Sequence, residues 1–171
     1  MKRLLFAVLL VTLCTSCDLQ GLDLNTPSDA RKYVQACGRG HDAIHCRAMQ
    51  RVLTNVTGEV TVLLPNDGDT VIRALLEAYV QSTGRSADAF EQSAVGEAYA
   101  KANIFRASSL QTGTMTTLDG KAHTVVCQQD RDGTEECVID GVLSRAYRMR
   151  SVTVGSVYSL STVTPPAYLP F

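Results

Sequence analysis

The sequence predicts an α+β domain whose helices come first and whose antiparallel sheet comes last. Two patterns carry that prediction. Apolar residues recur at helical spacing through the first hundred or so positions, whereas from Asn103 onward β-branched residues are broken by Gly113, Gly120, Gly133, Gly141 and Gly155. A third observation concerns size. The 171 residues suit one domain, and a composition of 45% hydrophobic and 19% charged residues describes a packed core rather than a disordered tail. Sixteen Lys and Arg against seventeen Asp and Glu give a formal charge of −1, so no global basic field draws the chain to nucleic acid.

In chain order, Lys2 and Arg3 precede an apolar run over residues 4–13 that is too short to span about 30 Å of hydrocarbon. The run reads as an export signal, not an anchor. Residues 18–26 are short and polar, suited to a tether. Ser28 is then expected to cap a helix through Ala30, Tyr33, Val34 and Ala36, stopped by Gly38 and Gly40. A second helix over residues 42–54 sets Ile44, Ala48 and Val52 on one face. Residues 59–64 form a strand that ends on the turn residues Pro65 to Gly68. Val71, Leu75, Leu76, Tyr79 and Val80 predict a buried helix face, with Gly84 as the stop. Ser86 is expected to open one further helix carrying Phe90, Ala94, Val95, Ala98 and Tyr99.

The leader ends in Leu13-Cys14-Thr15-Ser16-Cys17. Small residues before a cysteine resemble the lipobox of bacterial lipoproteins, which implies cleavage after residue 16 and acylation of Cys17. Cys14 stands where that pattern has leucine, and an ordinary signal-peptidase cut is the alternative. The expected organisation is thus a signal peptide over 1–16, a lipidated cysteine and tether over 17–27, and a domain over 28–171. Four cysteines remain: Cys37, Cys46, Cys127 and Cys137. An even number in an exported chain reads as a disulfide set, and of the three possible pairings the local one is expected: Cys37 with Cys46, Cys127 with Cys137. The polar stretch between the latter two contains Asp132-Gly133, a turn signal, so that bridge would staple a β-hairpin.

Several short segments resemble fasciclin-type domains. Residues 58–67, GEVTVLLPND, are similar to the strand signature "FTVFAPTN"; residues 104–110 stand where the family has "YHVV". Residues 118–121 match its "L-x-G" hairpin, 138–142 its "V-x-V-N-G" segment, and 154–160 through Pro165 and Pro166 its last signature. The resemblance covers about residues 28–166. Tyr158 replaces the usual histidine, and Phe105-Arg106 replaces a Tyr-His pair. What it implies is a non-catalytic surface module without a cofactor, held at the bacterial envelope by its lipid and binding a protein, glycan or lipid partner.

Cys37, His41, His45 and Cys46 could ligate zinc, with a disulfide as the competing use of the thiols. Asp130, Asp132 and Glu136 echo a calcium loop, but the run is too short for the twelve-residue EF-hand and no paired helices flank it, so a charged hairpin tip is expected. No Gly-x-Ser-x-Gly elbow occurs, and a hydroxyl–histidine–carboxylate set is not visible from spacing. Arg145, Tyr147, Arg148 and Arg150 are the candidate partner-binding residues, with 145 and 147 on one face of a strand and 148 and 150 on the other. Such charge also suits a solvated strand edge. Two rival functions follow: an assembly lipoprotein of an envelope complex, and a metal-dependent enzyme using His41 and His45.

Overall fold

The computed structural model describes residues 29–39, 43–65, 68–141, 145–148, 152 and 154–161, with only the backbone of 68–71, 145 and 161. The expected signal peptide, the tether with Cys17, the cap at Ser28 and residues Gly40, His41 and Arg150 lie outside them.

Four α-helices are described: α1 (Ala30–Cys37), α2 (Ile44–Leu53), α3 (Gly68–Thr83) and α4 (Ala94–Ala102), with a 3₁₀ segment Ala87–Gln92 before the last. Asp29 caps α1, its carboxylate accepting from the Arg31 and Lys32 N–H groups at 2.8 and 3.3 Å. Seven strands follow or interleave: β1 (Thr61–Pro65), β2 (Ile104–Phe105), β3 (Gly113–Thr116), β4 (Ala122–Gln129), β5 (Glu135–Ile139), β6 (Arg145–Arg148) and β7 (Ser156–Ser161). No described helix is long and apolar enough to cross a membrane.

The fold is mixed α/β, and two expectations need correction. The helix expected from Ser86 onward is two pieces. The Ser93 hydroxyl donates to the Phe90 carbonyl at 2.7 Å and accepts from the Gly96 N–H at 3.0 Å, so it ends one turn and caps the next. Gly96 permits the junction, since a Cβ there would lie 2.1 Å from the Phe90 carbonyl oxygen. The sheet, secondly, is neither purely C-terminal nor purely antiparallel. Its order is β2-β1-β7-β6-β5-β4-β3, and β1 pairs in parallel with β7. Thr61, Val62, Leu63 and Leu64 are all buried, as an inner strand covered on both faces requires.

The two ends of the sheet also meet. An antiparallel bridge joins Phe105 to Thr117, and the Leu118 N–H donates to the Ile104 carbonyl at 2.8 Å. This seam makes a near-barrel and leaves little free strand edge. Alternation along β1 then divides the core in two. Val62 and Leu64 join Val34, Met49, Leu75, Tyr79, Phe90 and Tyr99 in the layer between helices and sheet. Leu63 points the other way, into a barrel interior filled by Phe105, Leu110, Val125, Ile139, Tyr158 and Leu160. Gly155 sets the approach of β7 to β1, being held at φ +70° with the Val60 carbonyl 2.5 Å from where a Cβ would stand.

Candidate functional site

Both local disulfides are present. Cys37 is bridged to Cys46 and Cys127 to Cys137, with Cα separations of 5.8 and 4.0 Å. The second pair stands directly opposite across β4 and β5. Its hairpin tip is closed by Asp130, whose Oδ1 accepts from the Asp132 and Thr134 N–H groups at 2.9 and 2.8 Å. Glu136 lies buried on β5, away from that exposed tip.

The ligand atoms of Cys37, His45 and Cys46 lie within 4.8 Å of one another, but both sulfurs are spent in the bridge. His45 Nε2 is 3.3 Å from Cys46 Sγ. Burial, and then the Arg47 charge, hold the His45 pKa down at about 4, so its imidazole is neutral over most of the pH range.

Tyr147 and Arg148 take opposite faces of β6, as expected of neighbouring strand positions. This strand lies inside the sheet, between β5 and β7, which corrects the expectation of a charged edge. Arg148 sits opposite Tyr158, and its Nη1 is 3.9 Å from Glu135 Oε2. Glu135 Oε1 accepts the Tyr158 hydroxyl, which itself accepts from the Leu110 N–H at 3.2 Å. Burial and the Glu135 carboxylate raise the Tyr158 pKa well above the ordinary tyrosine value. Tyr147 falls on the opposite face, half-buried between Glu136 and Ser159, as strand alternation predicts. Arg145 is placed only by its backbone, paired with Val138 and Ser161.

A polar cluster that the spacing does not reveal stands at the seam. His123 Nδ1 is 2.8 Å from Asp140 Oδ2, and its Nε2 is 3.3 Å from Thr117 Oγ1. The Thr117 hydroxyl donates to Asp119 Oδ1 at 2.5 Å, and Thr117 is only 4% exposed. Asp140 also accepts from the Thr124 N–H at 2.8 Å while adopting φ +54°. Hydroxyl, imidazole and carboxylate are thus joined, but with the hydroxyl buried and its proton directed to Asp119. The arrangement fastens the turn after β3 to β4 and to the turn after β5.

Among the described residues, a cleft of about 450 Å³ lies where the helical layer meets the seam. Helix α2 and the residues after it supply Arg51, Val52, Asn55 and Val56; α4 supplies Glu97 and Lys101; Arg106 follows β2 and Leu118 follows β3. Residues 48, 51, 52 and 55 share one face of the α2 register, as do 97 and 101 on α4. Lys101 Nζ pairs with Glu97 Oε1 at 2.6 Å, and its hydrogen bond and charge lower the Glu97 pKa. Glu91, at the mouth, is bound by Arg47. Arg51 makes a 3.4 Å hydrogen bond to the Glu91 carbonyl.

No protein-family model, curated protein or solved structure matches the chain.

Proposed function

We propose that the chain is an exported, lipid-anchored binding module of the fasciclin type, tethered through an acylated Cys17 and acting without catalysis on a protein, glycan or lipid partner at the bacterial envelope. The observation that carries this reading is the adjacency of three signature-like segments. Residues 58–67, 104–110 and 154–160 contribute β1, β2 and β7, which are neighbours in the order β2-β1-β7. Segments about forty to fifty residues apart in sequence become one structural unit, and the helices pack on that unit's outer face. Two disulfides are consistent with folding in an oxidising compartment.

The test is metabolic labelling with palmitate in a bacterium that expresses the full chain, alongside Cys17→Ala. Label in the wild-type chain alone, with the variant released from the membrane fraction, supports the tether. An unlabelled wild-type chain sinks it. The binding part is tested by retention of the immobilised chain's partners on protein, glycan and lipid panels. Saturable retention supports a module, whereas chemical turnover of a retained compound overturns the non-catalytic reading.

A further inference from the structure

We infer that the cleft between α2, α4 and the seam binds an oxyanion carried on a short aliphatic stem. This deepens the proposed binding function by naming the ligand chemistry of one site.

Charge decides the sign of the ligand. The cleft and its mouth bring together four cations, Arg47, Arg51, Lys101 and Arg106, and two carboxylates, Glu91 and Glu97. Arg47 answers Glu91 and Lys101 answers Glu97, which leaves two guanidinium groups in excess. Arg51 offers its remaining donors beyond the long bond to a main-chain carbonyl. Arg106 is exposed and makes no hydrogen bond or ion pair with another described residue. The excess arises in a chain whose overall charge is −1, so it is local to this place. Each planar guanidinium can pair two oxygens of a carboxylate or phosphate at once, which an ammonium point charge does not.

The floor decides the rest of the ligand. Val56 and Leu118 are half-buried against the helical core, and Val52 lies beside them. These side chains are aliphatic, and among the described residues no aromatic one lines the cleft. A stacked sugar or base therefore finds no ring to lie against, whereas a short hydrocarbon stem covers apolar surface that water now wets. A volume of about 450 Å³ falls within the span of about 300–1,000 Å³ usual for small-molecule sites. The same chemistry occurs in a free amphiphilic anion and in the headgroup region of an anionic lipid.

The experiment uses the full chain carrying Cys17→Ala, so that an acyl anchor neither requires detergent nor mimics lipid binding. Titration calorimetry with hexyl phosphate, and with hexanol as the uncharged control, measures the solution affinity. The expected result is hexyl phosphate binding that weakens by about tenfold or more in Arg51→Gln/Arg106→Gln and is unchanged in Arg85→Gln, an exposed arginine beyond α3. Arg106→Gln alone shifts affinity in the same direction and serves if the double variant melts early. No binding of hexyl phosphate, equal binding of hexanol, or wild-type affinity in both arginine variants overturns the inference. Co-sedimentation with phosphatidylcholine vesicles, with and without phosphatidylglycerol, separates the sources. Retention that needs both phosphatidylglycerol and the arginines supports the site with lipid as its ligand, and solution binding without retention supports it with a soluble anion. Neither result depends on acylation of Cys17, so failure here and failure of the tether are read separately.

Discussion

Lowering the pH should destabilise the domain through His45 more than through an ordinary histidine. The side chain is largely buried, its Nδ1 has no hydrogen-bond partner, and Arg47 adds a repelling charge. Its pKa falls from 6.5 in the unfolded chain to about 4 in the fold. Between those values the unfolded chain binds a proton that the folded one refuses, so stability is lost as pH falls from 6.5 and levels off below about 4. Each pKa unit is worth about 1.4 kcal/mol, which makes the full loss about 3 kcal/mol and the loss at pH 5 about 2 kcal/mol. Partial exposure makes these upper figures. His45→Gln removes the linkage while keeping a polar side chain of similar reach. Urea unfolding followed by circular dichroism from neutral to acidic pH should show the wild-type chain losing stability relative to the variant, since the other titrating groups are common to both. A flat difference, or an imidazole midpoint near 6.5 by nuclear magnetic resonance, would show that the fold does not hold the His45 pKa down.

Three further outcomes are expected. Gly96→Ala should cost about 1–3 kcal/mol in a denaturant melt, because the new Cβ meets the Phe90 carbonyl, whereas helix propensity alone predicts a gain of about 1 kcal/mol. Tyr158→Phe should cost about 2–3 kcal/mol, since the Leu110 N–H loses its acceptor and Glu135 its donor. With the folded Tyr158 pKa raised, the wild-type advantage is full below pH 10 and shrinks as pH rises toward the folded value; a stability profile above pH 10 checks that sign, with buried Tyr99 supplying part of the same alkaline loss in both chains. Cys127→Ser/Cys137→Ser should cost about 2–3 kcal/mol, the loop-closure value for a ten-residue separation, measured by urea unfolding with midpoint and slope both fitted, since the cross-link constrains the unfolded chain.

The hairpin between Cys127 and Cys137 was legible because everything that forms it is local: a polar tip, an Asp-Gly turn and two cysteines at matched distance. Helical spacing likewise marked Leu75 and Tyr79 as core. The partner of β1 was not legible in the same way. Its unbroken apolar run announces a strand covered on both faces, but a parallel pairing with β7 spans most of the domain and leaves no short-range mark. Ser93 hid a different kind of information, since a serine within an apolar periodicity reads as a solvent-facing position until its hydroxyl is seen to bond on both sides. The seam and the cleft depended on convergence. His123 meets Asp140 and Thr117 only because the sheet curls, and Arg51, Lys101 and Arg106 come from three elements whose juxtaposition no spacing encodes. The opposite faces of Tyr147 and Arg148 were legible from strand alternation alone, whereas the place of β6 inside the sheet depends on its pairing with β5 and β7.

Intact-mass and non-reducing peptide mass spectrometry of the native protein reads the proposed tether and the two local disulfides in one experiment. The expected result is an N-terminus at an acylated Cys17, with Cys37 linked to Cys46 and Cys127 to Cys137. A chain that retains residues 1–16, or that carries Cys37 and Cys46 as free thiols holding a metal ion, would contradict it.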